Sequence, residues 1–257
     1  MRETNIGMEH KLYGTSILKA KQIMDLLADS TNGLSLNEIS KKLVVSKPTI
    51  LKILTTLTYI KYVRRNEENK RYYLGTVFIK YGNQTLNSFD ISKIAYKYLD
   101  QLKNFTNETV NLGIVDHDKI FILQKLNGDQ PINFNSQVGD TMELYSSAMG
   151  KAALATMTVA QLDKYFSRNK LLPLTKYTVT NIEQLKIQLQ DIYNNGYAID
   201  NQENQEDVVC IGAAIEKYNK LFAAFSVSTP QYRLNDSLFK DFINQVILTK
   251  RQIEQNL

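Results

Sequence analysis

The sequence predicts an α+β protein in two parts: a small helical front segment closed by a two-stranded hairpin, and a larger back segment mixing helices with antiparallel hairpins. Three observations predict it. Residues 34–59 carry two capped helices separated by a tight connection. A basic hairpin, YVRRNEENKRYYL, follows within a few residues. From residue 91 onward, helical periodicity gives way twice to strand, turn and strand.

A first helix over about Ser16 to Ala28 places Ile17, Ala20, Ile23, Met24 and Leu27 on one stripe and stops near Asn32-Gly33, where glycine tolerates a left-handed terminus. The second opens on Ser35, and Glu38 three residues on completes a capping box, each residue satisfying an amide the helix start leaves unpaired. Ser46 stands where it can cap the third helix, with Pro48 in the first turn, where a missing N–H costs nothing. Along that helix Ile50, Ile53, Leu54 and Leu57 share one side, leaving Thr49, Lys52, Thr56 and Tyr59 on the other. The hairpin then sets Arg64, Arg65, Lys70 and Arg71 around a polar turn, Asn66 to Asn69.

Two helices and a cationic hairpin in this order are the layout of a winged helix-turn-helix, which lies on duplex DNA. The reading helix docks by its N-terminal part, so the candidate contacts are Ser46, Lys47, Thr49, Lys52 and Thr56. Arg64, Arg65, Lys70 and Arg71 suit a wing touching phosphates or a minor groove.

Charge supports this division. Residues 1–75 hold 13 Lys and Arg against 7 Asp and Glu, whereas the rest holds 18 against 19, so a polyanion partner is implied for the front only. One cysteine forms neither an internal disulfide nor a thiolate cluster, which points to a reducing, cytoplasmic setting. The N-terminus has no apolar leader core, and no run approaches the roughly 18 apolar residues of a membrane span, so no membrane partner is expected. His10 and His117 fall in a polar leader and a turn without ligands at metal spacing; neither a metal nor a cofactor is expected.

The domain reading is residues 1–75 for the winged helix, 76–90 for a partly helical linker, and 91–257 for the back domain. There a helix with Ile94, Ala95, Tyr98 and Leu102 precedes strands that turn at Asp116 to Lys119. Helices follow near Ser147–Thr156, Val159–Phe166 and Ile182–Asn194, then a hairpin of VVCIGAAI and LFAAFSVS, then a closing helix from Asp236. With its turn centred on Tyr218, that hairpin sets Cys210 opposite Ser226, and Ser228 shares their face because strand side chains alternate. This is either a polar pocket or a strip of small residues that lets a helix approach the sheet. The segment YSSAMGK favours the pocket, since serines placed to cap a helix followed by small residues leave amides open to an anion.

GLSLNEISKKLVVSKPTILKILTTL, YSSAMGKAALA, GYAIDNQENQEDVVCIGAAI and AAFSVSTPQYRL together resemble the isocitrate lyase regulator (IclR) family of bacterial transcription factors over nearly the whole chain. The resemblance implies a GAF-like C-terminal domain recognising a small metabolite, often a carboxylate, and a dimer or dimer of dimers on a palindromic operator. It assigns effector contacts to Ala148, Met149, Asp200, Cys210, Ser226 and Ser228. The chain departs from the family at Asp200-Asn201-Gln202-Glu203, commonly Asp-Asp-Glu-Glu, and at Asp207, usually glycine. The helix start with Ser226 and Ser228 suits a carboxylate, and Asp200 a hydroxyl, so a hydroxy, keto or sugar acid is expected. A repressor is the expected form. The alternatives, an enzyme or a thiol redox sensor using Cys210, lack a histidine in the pocket segments, a G-x-S-x-G elbow and a second cysteine.

Overall fold

The computed structural model describes residues 14–87, 90–130 and 136–257. Two compact units divide between residues 88 and 89. The expectation for His10 lies outside the described residues.

In the first unit α1 (Thr15–Ala28), α2 (Leu36–Leu43) and α3 (Lys47–Tyr59) enclose Ile23, Leu27, Ile39, Ile50, Leu54 and Leu57, and β1 (Val63–Arg65) pairs antiparallel with β2 (Tyr72–Leu74). α1 stops at Ala28, ahead of the glycine expected to end it. Gly33 instead serves the next turn: its φ is +61°, and a Cβ there would stand 2.6 Å from the Tyr72 carbonyl oxygen. That closeness lets Leu34 and Tyr72 exchange both backbone hydrogen bonds, at 3.0 and 2.8 Å, which ties the wing to the start of α2.

The Ser35–Glu38 capping box forms as the sequence requires. Ser46 differs. It occupies the N-cap position of α3, but its hydroxyl meets the Thr49 hydroxyl at 2.9 Å and caps no amide. After the wing, α4 (Val77–Asn87) stays with the first unit; Phe78 and Tyr81 stack against Tyr62 with ring centroids 5.1 and 5.9 Å away.

The second unit opens with α5 (Asp90–Thr106) and then builds one antiparallel sheet from β3 (Thr109–Asp116), β4 (Lys119–Leu126), β5 (Thr141–Glu143), β6 (Ala198–Asn201), β7 (Val208–Lys217) and β8 (Lys220–Pro230). The strand order is β5-β4-β3-β8-β7-β6. Three helices fall between β5 and β6: α6 (Ala148–Leu154), α7 (Val159–Arg168) and α8 (Ile182–Asn195). α6 lies on the sheet face carrying the even-numbered residues of β7, so close that a Cβ on Gly212 would be 3.1 Å from the Ala148 carbonyl carbon. The odd-numbered Ile211, Ala213, Phe225 and Val227 are buried on the other face, where α5 and the closing helix α9 (Asp236–Gln255) pack. Strands β5 and β6 are short edge strands without strong alternation, and periodicity does not disclose them.

The β7–β8 register corrects the sequence reading. Cys210 pairs with Ser228 and Gly212 with Ser226, where Cys210 opposite Ser226 was expected. The turn consists of Tyr218 and Asn219, both left-handed at φ 53° and 58°, and a register shift beyond Glu216 leaves Phe222 as an extra residue in β8.

Candidate DNA interface and ligand cavity

On α3, Ser46, Lys47, Lys52 and Thr56 are exposed and Thr49 is half-buried. Lys52 and Thr56 lie on the flank toward α1, beside an apolar groove of about 510 Å³ that Ile17, Ala20 and Met24 also line. Thr55 and Tyr59, the latter 86% exposed, share the outward side of the helix, and the sequence candidates omitted Thr55. In the wing, the Arg64 guanidinium lies 4.5 Å from the Tyr73 ring centre and that of Arg65 5.7 Å from Tyr72, both side chains reaching solvent. Lys70 meets Glu67 at 3.1 Å with both side chains exposed.

Arg71 is differently engaged. Its two terminal nitrogens grip the Glu38 carboxylate at 2.8 and 3.3 Å, and its Nε donates to the Asn32 carbonyl at 3.2 Å. Glu38 also accepts from Ser35, and that bond first, with the Arg71 charge added, holds its carboxyl below the usual range. The fourth wing cation is thus tied to the capping box of α2.

In the back domain a cavity of about 560 Å³ opens on the α6 face of the sheet. Its floor is Asn111 of β3, Ser228 of β8, Val208 and Cys210 of β7, and Asp200 of β6. Its rim carries Ser136, Asp140 and Glu143 on one side and Leu174, Asn204 and Gln205 on the other. Among the described lining residues there is no Lys or Arg.

Asp200, Cys210 and Ser228 therefore meet as the sequence reading grouped them: Asp200 pairs with Cys210 across β6 and β7, and the Cys210 thiol donates to the Ser228 hydroxyl at 3.2 Å. Ala148, Met149 and Ser226 are not among the described lining residues. Met149 is packed against Leu144, Tyr145 and Leu154, Ala148 sits on Gly212, and Ser226 is the register partner of that glycine, so all three are buried where α6 meets the sheet. The first turn of α6 is also less open than its sequence suggests, because the Ser147 hydroxyl already accepts from the Gly150 amide at 3.1 Å.

Asp200 is 2% exposed. Its Oδ1 accepts from the amides of Glu203 at 2.7 Å and Asn204 at 3.2 Å. Burial pushes its carboxyl up to about 7, although those amides and the Lys151 charge pull the other way. Burial, and then the neighbouring Asp200, also push the Cys210 thiol well up, which disfavours a reactive thiolate. The sequence reading missed Asn111, Ser136, Asp140, Glu143, Asn204 and Gln205, which come from loops and other strands and share no spacing with Cys210.

Two family models match. The IclR helix-turn-helix domain covers residues 16–67, and the C-terminal domain of the bacterial transcriptional regulator IclR covers residues 83–255. The chain belongs to the IclR family. It is a DNA-binding transcriptional regulator with an effector-binding C-terminal domain, and not an enzyme.

The similar IclR-family proteins include the HTH-type transcriptional regulator XynR of Escherichia coli, 29% identical over 90% of this chain and 92% of that protein. The transcriptional repressor IclR of the same organism is 25% identical over 93% of this chain and 88% of its own length. The IclR of Thermotoga maritima superposes with a TM-score of 0.81 at 30% identity, covering 94% of this chain and 98% of that one. A homologue from Microbacterium hydrocarbonoxydans, solved with 4-hydroxybenzoate, reaches 0.81 over the same shares at 15% identity and so shows the fold alone. Among the described residues no helix is long and apolar enough to cross a membrane.

Asp207, where the resemblance implied a glycine, has φ +62°, in the left-handed region that glycine enters freely, and its amide donates to Gln202 Oε1 at 3.2 Å.

Proposed function

We propose that this IclR-family regulator is a repressor that binds a palindromic operator as a dimer or dimer of dimers, and that a hydroxyl-bearing organic acid in the 560 Å³ cavity changes its operator affinity. Two recognition helices in one dimer would enter major grooves about one helical turn apart. Similar proteins are named repressors, and the Microbacterium homologue holds a hydroxy acid; both support the reading.

The observation that carries the choice of ligand is the cavity wall: Asp140, Glu143 and Asp200 without a lining cation among the described residues. The donors lining the wall are neutral, the Ser228 and Ser136 hydroxyls and the amides of Asn111, Asn204 and Gln205, with Lys125, the register partner of Asn111, as a cation whose charge reaches Asp140. Asp200 can join them as a donor while it keeps its proton. The remaining acids accept from ligand hydroxyls, which favours hydroxy and sugar acids over simple keto acids among the three classes expected from sequence. Calorimetric titration with such acids, the matching neutral sugars and apolar amines tests this, alongside gel shifts on the promoter beside the gene. Binding confined to apolar or cationic compounds overturns the ligand class; no preference for that promoter over random duplex overturns the regulator's local target.

A further inference from the structure

Lys151 lies in α6 with 1% of its surface exposed, and its ammonium is paired with the carboxylate of Glu203, 5% exposed. Neither residue is among those lining the cavity. Burying two charges sacrifices their hydration, and apolar residues of similar volume often stabilise such a place as well or better. A directional pair can fix one point of the chain where apolar packing would let it slide.

The point fixed here is the turn after β6. Glu203 donates its amide to Asp200 Oδ1 at 2.7 Å, and its carbonyl accepts from the Thr178 hydroxyl at 2.6 Å. The next residue, Asn204, also donates to Asp200 and accepts from the Ser146 hydroxyl at 3.4 Å through its side chain. Asp200, Asn204 and Gln205, which flank Glu203, are cavity residues. One carboxylate oxygen of Glu203 has no partner, so its side chain is held through the other, the one Lys151 binds.

We infer that the Lys151–Glu203 pair is a positioning device for effector recognition, clamping the turn that presents Asp200, Asn204 and Gln205 to a hydroxyl-bearing acid. This rests on the cavity reading above. The charged and titratable groups around Asp200 are Lys151 from α6, Glu203 from its own turn and Cys210 from β7, and on the opposite rim Asp140 with Lys125 beside it and Glu143 paired with Lys119. An acid ligand adds a like charge, so its affinity falls as pH rises through the titration of Asp200. Lys151 favours the ionised carboxyl more than the Glu203 charge disfavours it, so loss of both charges moves that fall to higher pH.

The test is the full-length double variant Lys151→Met/Glu203→Met, whose flexible thioethers fill the space of both side chains without charge. Gluconate, galactonate and lactate are the probes, titrated over pH 5.5 to 8.5. The inference expects operator affinity without acid to be unchanged, acid affinity to fall at least tenfold, and the pH midpoint of that affinity to move upward. Acid affinity within twofold of the unsubstituted protein with an unmoved midpoint overturns it. Should the double variant fail to fold, Glu203→Gln removes the charge of the pair while keeping the size of the side chain, and must lower acid affinity about threefold; no change there overturns the inference equally. If the unsubstituted protein binds none of the acids, the cavity reading itself falls, an outcome distinct from equal binding by protein and variant.

Discussion

Cys210 and Ser228 stand opposite each other on β7 and β8, thiol sulfur to hydroxyl oxygen 3.2 Å, because of an extra residue six positions before the serine. The two-residue turn at Tyr218-Asn219 pairs Lys217 with Lys220, a register that continued unbroken would set Cys210 against Val227. Phe222 adds one position to β8, and from Ile215↔Ala223 onward each even-numbered residue meets an even-numbered partner. The bulge thus decides that Ser226 and Ser228 lie on the α6 face, Ser228 in the cavity, and the valine in the apolar layer.

Deletion of Phe222 should therefore turn Ser226 and Ser228 into the layer beneath α5 and α9. The expected result is a loss of at least about 2 kcal/mol of stability, from burying two hydroxyls without partners, together with loss of acid binding. Urea unfolding and calorimetry check both.

Asp200 links stability to pH in an unusual direction for a carboxyl. Its native pKa of about 7 exceeds the ordinary 3.8. The unfolded chain releases this proton at lower pH than the native one, so the native state binds more protons between about pH 4 and 7. The contribution is full below pH 4 and is lost as pH rises to about 7. Asp200→Asn should flatten this part of the profile, read as the difference in urea midpoints between pH 4.5 and 7.5; an unchanged slope contradicts the burial argument.

The wing cations should separate into two classes. Arg65→Ala removes an exposed charge and should lower the salt dependence of operator binding by about one unit of slope, as loss of one phosphate contact does. Arg71→Ala should leave that slope nearly unchanged while lowering the thermal midpoint, because Arg71 grips Glu38 and Asn32. Fluorescence anisotropy across a salt series distinguishes them.

Two serines at corresponding helix starts should respond differently. Ser35→Ala deletes a true cap and should cost about 1 kcal/mol, whereas Ser46→Ala breaks only a hydroxyl contact with Thr49 and should cost under about 0.5 kcal/mol. Chemical unfolding of both variants is sufficient.

Asp207→Gly should be neutral or stabilising by up to about 1 kcal/mol, since glycine enters the left-handed region without strain, and should leave acid binding within twofold. A large loss would mean that the Asp207 side chain, and not its backbone, has the work at this position.

The sequence by itself determined what is local. Capping residues, 3.6-residue stripes and turn pairs set α2, α3, the wing and both long hairpins, since the forces that form them act within a few residues. The cationic front and the family signatures were equally legible, and with them the class of protein. The grouping of Asp200, Cys210 and Ser228 emerged partly from alternation along strands, although the register was two positions off: one from the two-residue turn at Tyr218-Asn219 and one from a bulge that has no sequence signature of its own.

What only the tertiary structure decided is how distant segments share space. Asn111, Asp140 and Asn204 meet at one cavity because β3, the loop before β5 and the turn after β6 converge at the end of α6. The same convergence buried Met149 and Ser226, and within the front unit the pairing of the wing with the start of α2 drew Arg71 to Glu38. The convergence at α6 also brought Lys151 to Glu203, 52 residues away. Such pairings are settled by packing and by the partnering of buried charge, which depend on the whole fold and leave no periodic trace in the chain.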